Sequence, residues 1–135
     1  MAVNHITLGV GDLERSFRFY TEILAATPRM KTSVVAYLDL QSTWIALVEQ
    51  QPPPTPIGAQ GYTHIAFSAT QPQIDRLRDF VTQGLLSNWQ ENQSEGDSIY
   101  FLDPDGNKFE YHTTSLEDRL ALFRRNPDPA MELFD

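Results

Sequence analysis

Two histidines recur in one local setting. His5 sits in Asn4-His5-Ile6-Thr7-Leu8 and His64 in Thr63-His64-Ile65-Ala66-Phe67, each opening a β-prone run that leads into helical periodicity. Glu110 lies on the return strand of a hairpin near the end of the second half. If the two settings are halves of a repeat, a pseudo-twofold axis brings the imidazoles face to face. Two His and one carboxylate, with open positions left for substrate, form a ligand set for divalent metals of the Mn, Fe or Zn kind. A lone strand histidine is otherwise an ordinary core or edge residue, so the candidacy rests on the duplication. His112 shares the strand face of Glu110, because strand side chains alternate. It is read as an alternative ligand, as a support behind the metal, or as a surface residue.

The same hairpin carries a second candidate. Asn92, Ser94, Glu95, Gly96, Asp97 and Ser98 form a polar loop before the apolar run Ile99-Tyr100-Phe101-Leu102. Its hydroxyls, carbonyls and glycine suit a hard monovalent cation or the oxygens of a small anion, and equally a plain solvated loop. Asp103-Pro104-Asp105-Gly106 reads as a type I turn whose acids are structural. Tyr100 and Arg119 are balanced between a site role and the roles of core aromatic and solvated helix charge. Trp44, Tyr37 and Tyr62 read as core or edge aromatics on pattern alone.

The elements that must position these groups follow from periodicity. A strand over residues 3–10 is followed by Asp12 as N-cap and a helix over about 13–26, stopped near Pro28. Strands are predicted near 29–33, 35–40 and 44–48, with Gln41-Ser42 as a hairpin turn. Four prolines between Gln50 and Gly61 mark a linker. The pattern then restarts: a strand at 63–67, a helix from Pro72 ended by Gly84, a strand near 85–90 and the hairpin. Ser115, with Asp118 three residues on, starts a last helix, and the tail from Asn126 is extended. This predicts one α+β domain over 1–135. Module one covers about 1–50, the linker about 50–61, module two about 62–114, and the C-terminal helix and tail 115–135. Each module is too small to bury a sheet face alone, so two must pair, within or between chains, around a cavity.

Composition narrows the partners. The chain of 135 residues carries a formal net charge of -8 and no cysteine. Acidity disfavours nucleic acid and anionic membranes as partners. Without cysteine, any thiol chemistry must use a thiol from a cosubstrate. The N-terminus lacks a signal-peptide pattern and no apolar run is long enough to span a membrane, so a soluble, cytoplasmic protein is expected.

These residues resemble the vicinal-oxygen-chelate (glyoxalase/bleomycin-resistance/extradiol-dioxygenase) superfamily nearly end to end. Within it the chain is most similar to the fosfomycin-resistance thiol transferases, especially the glutathione-dependent type. The likeness is carried by Asn4–Leu8, by Tyr62-Thr63-His64, and above all by Asn92-x-Ser94-Glu95-Gly96-Asp97-Ser98-x-Tyr100 running into the turn. It implies paired βαβββ modules forming curved mixed sheets around a metal cavity, with modules paired across a homodimer. It implies Mn²⁺ on His5, His64 and Glu110, with His5 from the other subunit. Fosfomycin or a similar small phosphonate would be held by Thr7, Gln90, Ser94, Ser98, Tyr100 and Arg119, with Trp44 and Tyr62 lining the cavity. Among these, Thr7, Tyr100 and Arg119 would be catalytic. Asn92, Ser94, Gly96 and Ser98 would bind an activating K⁺.

The chain departs from that pattern at Gln90 and Gln93, where the glutathione-dependent relatives usually carry Lys and often Arg. The departures bear on which thiol is used: glutathione, cysteine or bacillithiol. The competing readings are another enzyme of the superfamily, a glyoxalase-type lyase or a dioxygenase, and a metal-free drug-sequestering binder.

Overall fold

Alternating apolar and polar residues build two sheets of the same design. The computed structural model of the chain describes residues 2–93 and 95–135. In the first half, β1 (His5–Val10) leads into α1 (Leu13–Arg18) and a π-helical turn (Phe19–Ile23), then β2 (Thr27–Lys31), β3 (Val35–Leu40) and β4 (Thr43–Glu49). In the second, β5 (Ile65–Ser68) and α2 (Gln71–Thr82) precede β6 (Asn88–Gln90), β7 (Ser98–Leu102) and β8 (Lys108–His112). The helix α3 (Leu116–Arg125) follows. The strand orders are β1-β4-β3-β2 and β5-β8-β7-β6, with β1·β4 and β5·β8 parallel and the other neighbours antiparallel. The internal repeat predicted from the two histidine settings is therefore a repeat of topology.

Each sheet has one face in the core, and the first sheet leaves its other face open. Leu8, Val10, Ala36, Leu38, Ile45 and Leu47 of the first sheet and Phe67, Ile99, Phe101, Phe109 and Tyr111 of the second belong to one buried cluster. Each fully buried leucine or phenylalanine of this kind contributes about 1.5–3 kcal/mol. The alternation leaves His5, Thr7, Trp44 and Tyr37 on the open face of the first sheet. Ser98, Tyr100, Glu110 and His112 lie in matching rows on the other face of the second, where Ser98, Tyr100 and Glu110 are also buried.

The turn Asp103-Pro104-Asp105-Gly106 ties the modules together. Its fourth residue, Gly106 (φ 88°), donates its N–H to the Asp103 carbonyl at 3.0 Å, closing the expected i to i+3 turn. The buried Asp103 carboxylate accepts from the backbone N–H groups of Asp105 and Asn107, from Asn107 Nδ2 and from the Tyr20 hydroxyl at 2.7 Å. Asp105 reaches back to module one, accepting from Gly11 N–H, the Arg15 guanidinium and Ser16 Oγ.

Several boundaries differ from the sequence reading. The first helix is α-helical only to Arg18 and ends in the π turn at Ile23, after which Ala25 takes φ 58°. Tyr20 sits in that wider turn, fully buried, with its hydroxyl on Asp103. A demand from the other module thus overrides the local helical period. Pro28 is inside β2 at the sheet edge, where a missing N–H is tolerated, and does not stop the helix. The capping boxes at Thr70 and Ser115 fix the starts of α2 and α3. Among the described residues no helix is long and apolar enough to cross a membrane.

Candidate functional site

The centre of the site is a contact between two acceptors. His64 precedes β5, and its Nδ1 lies 2.8 Å from the Tyr62 backbone carbonyl. A carbonyl only accepts, so Nδ1 carries the proton and a neutral ring offers its Nε2 lone pair. That Nε2 points at Oε1 of Glu110 across 3.0 Å. Two lone-pair atoms at that distance are satisfied either by a proton on Nε2 or by a cation shared between them. The spacing is also about that of two adjacent donors each about 2.1 Å from one metal ion. The donor set fits a divalent metal on chemical grounds.

The rest of the Glu110 carboxylate is held from behind. Ser98 Oγ donates to Oε2 at 2.6 Å, and His112 Nδ1 lies 3.2 Å from the same oxygen. The His112 ring nitrogens also contact the Ser98 and Thr114 hydroxyls. His112 is therefore engaged on both sides and stands behind the carboxylate. This arrangement follows from register, since Ser98 faces His112 and Tyr100 faces Glu110 across the β7–β8 ladder.

His5 opens β1 on the other sheet, with Nδ1 2.7 Å from Asn4 Oδ1, so it too presents Nε2. Its ring packs on Trp44 with centroids 4.2 Å apart. The chain by itself does not bring His5 to His64 and Glu110: among the described residues no group of three His, Asp or Glu is arranged to hold a metal. Thr7 is exposed on the same open face, two residues further along β1.

Aromatic side chains wall the His64–Glu110 pair. Tyr62, Trp89 and Tyr100 have ring centroids 5.0, 5.4 and 6.0 Å from the His64 ring. Trp89 was missed in the sequence. It lies on the three-residue strand β6, too short to show alternation, and its indole N–H donates to the Phe109 carbonyl. Gln90 donates its side-chain amide to the Tyr62 hydroxyl at 3.3 Å. Gln90, Asn92 and Ser98 also line one cavity of about 210 Å³, together with Arg78 and Asn88.

Within the polar loop, Asn92 Nδ2 donates to the Gly96 carbonyl, and Gly96 takes φ 75° against Thr114. Asp97 is turned away from the His64–Glu110 pair toward α2, where Arg78 and Gln71 bind its carboxylate. The Arg78 hydrogen bond holds the Asp97 carboxyl well below the usual carboxylate range. Ser94, a predicted phosphonate and K⁺ ligand, lies outside the described residues. On α3, Arg119 Nε is 3.8 Å from Glu95 Oε2, and neither buried atom has a hydrogen-bond partner among the described residues.

This geometry can be set beside known proteins. Residues 2–111 match the model of the Glyoxalase/Bleomycin resistance protein/Dioxygenase superfamily. The chain is 38% identical over 128 residues to the metallothiol transferase FosB of Lysinibacillus sphaericus, covering 92% of this chain and 90% of that protein. The chain belongs to this superfamily, in its fosfomycin-resistance branch. It is also 38% identical over 134 residues to the glutathione transferase FosA of Serratia marcescens, covering 96% of this chain and 93% of the relative. Among solved structures, a mutant of the fosfomycin resistance protein FosX from Listeria monocytogenes, complexed with Mn(II) and 1S,2S-dihydroxypropylphosphonic acid, superposes with a TM-score of 0.75. It is 28% identical and is covered over 97% of its length, against 90% of this chain. The α+β architecture of paired modules is that of these fosfomycin-resistance proteins.

Proposed function

We propose that the protein is a metal-dependent transferase that adds a cosubstrate thiol to the epoxide of fosfomycin, or of a similar small phosphonate, and so opens the ring. The observation that carries this reading is the His64 Nε2–Glu110 Oε1 pair, backed by Ser98 and walled by Tyr62, Trp89 and Tyr100. Identity to relatives named as thiol transferases supports the same reaction class.

His64 and Glu110 hold the divalent metal, Mn²⁺ first, and His5 of a second copy of the chain completes the ligand set in a homodimer. The exposure of His5 and Thr7 on an open sheet face fits such pairing. When bound, the metal supplies Lewis acidity toward the epoxide oxygen, offsetting the charge that develops there. Thr7, Ser94, Ser98, Tyr100 and Arg119 orient the phosphonate, and Arg119 offsets its negative charge in a chain that is acidic overall. Trp44 and Tyr62 exclude water around the reacting carbon. The thiolate forms a C–S bond as a C–O bond breaks, and the released oxygen takes a proton from solvent. The loop carrying Asn92, Ser94, Gly96 and Ser98 binds K⁺ as an activator.

The deciding experiment incubates the purified protein and Mn²⁺ with fosfomycin and, separately, glutathione, cysteine, bacillithiol or water alone. Mass spectrometry is expected to find a thiol adduct. Formation of the diol alone, or no product with any thiol, overturns the reading.

A further inference from the structure

A second cavity lies on the first sheet, away from the carboxylate of Glu110. It has a volume of about 260 Å³ and is lined by Arg29, Tyr37, Leu38, Asp39, Ser42 and Trp44. Its floor is in register with His5: across the ladder His5 pairs with Trp44, and Trp44 with Asp39. The cavity and His5 therefore share one open face, joined by the Trp44 ring.

Arg29 enters this cavity because of a local irregularity. Pro28 pairs with Leu38 and Met30 with Tyr37, so Arg29 is the extra residue of a bulge in β2. Bulges re-aim side chains and recur beside functional sites. Arg29 is exposed and makes no salt bridge among the described residues. Asp39 uses one carboxylate oxygen to accept the Ser42 backbone N–H at 2.8 Å.

A guanidinium and a carboxylate that line one cleft with two aromatic rings, and make no salt bridge with each other, match a zwitterion. A dianionic phosphonate would meet repulsion from Asp39, whereas an α-amino acid offers a carboxylate for Arg29 and an ammonium group for Asp39. We propose that this pocket binds the amino-acid end of the thiol cosubstrate, as in the γ-glutamyl end of glutathione or in free cysteine. The proposal rests on the thiol-transfer reading above and deepens it. It supplies a positive charge for a carboxylate-bearing thiol in a chain that has Gln at both 90 and 93.

The test separates the pocket from the reaction. S-methylglutathione, which cannot react, is titrated calorimetrically into the full chain loaded with Mn²⁺, into Arg29→Met and into Asp39→Asn. Asparagine keeps the acceptor for Ser42, and Arg29 is exposed, so both variants are expected to fold. Arg29→Met is expected to weaken binding about 10- to 100-fold, the range for a lost charge-assisted hydrogen bond. Asp39→Asn should weaken it less, and fosfomycin affinity should be unchanged in both.

In turnover, kcat/KM for glutathione or cysteine falls in parallel, while that for 2-mercaptoethanol, which has no amino-acid end, does not. Unchanged S-methylglutathione affinity in Arg29→Met overturns the pocket. So does an equal loss for 2-mercaptoethanol, or a wild-type chain that does not bind the ligand. If the wild type binds S-methylglutathione through Arg29 yet transfers no thiol, the pocket stands and the proposed reaction alone falls.

Discussion

Ser98 Oγ donates a 2.6 Å hydrogen bond to Oε2 of Glu110, leaving Oε1 alone to face His64. This single bond sets which carboxylate oxygen is free. Groups that orient a ligand from behind typically matter 10- to 100-fold for metal affinity. Ser98→Ala is therefore expected to weaken Mn²⁺ binding by about that factor, measured by competition with a chelating dye. Because Ser98 is buried, Ser98→Thr, which keeps the hydroxyl, serves as the control that should retain more of the affinity.

Removing the charge of Glu110 gives a sharper result. Glu110→Gln is nearly isosteric and keeps a hydrogen-bond acceptor for Ser98. It is expected to abolish stoichiometric Mn²⁺ binding and turnover while shifting the melting temperature by only a few degrees. Metal analysis alongside thermal unfolding checks both halves. A fully active Glu110→Gln would remove Glu110 from the ligand set.

The turn acids are expected to act on stability, not on chemistry. Tyr20→Phe leaves Asp103 with its Asn107 and Asp105 donors but removes one buried partner. The expected loss is about 1–2 kcal/mol in urea unfolding, with kcat unchanged. Burial, the largest influence, raises the Asp103 carboxyl above its ordinary value, and its neighbours' hydrogen bonds partly oppose this.

Asp97 should make the protein acid-sensitive. Its folded carboxyl titrates well below the unfolded one because Arg78 binds it. The stabilisation is fully present above the ordinary carboxylate range, near about pH 4. It is lost as pH falls through that range toward the depressed folded value. Melting curves from pH 7 down to pH 3 are expected to show wild type converging on Asp97→Asn. Parallel curves would show that Asp97 does not carry the dependence.

Much of the fold was legible because it rests on short-range rules. Period-two alternation marked the strands, Gln41 and Ser42 do take the positive φ of the expected hairpin turn, and Ser115 does cap α3. The repeated histidine setting announced two modules that share one strand order. The first helix is shorter than its periodicity predicts because the apolar spacing of Leu13, Phe17, Tyr20 and Leu24 reports burial, not hydrogen-bond pattern. The π turn exists where Tyr20 meets Asp103, a residue 83 positions away.

What the residues determined alone is the inventory: two histidines in matched settings, an acid on the return strand of the last hairpin, a polar loop and a turn. Tertiary structure decided how that inventory is used. Register placed Ser98 and His112 behind Glu110, the Tyr62 carbonyl selected the proton-bearing nitrogen of His64, and the short strand β6 brought Trp89 beside it. A one-residue bulge re-aimed Arg29. These choices depend on ladder register and on contacts between residues far apart in the chain, which local periodicity does not encode.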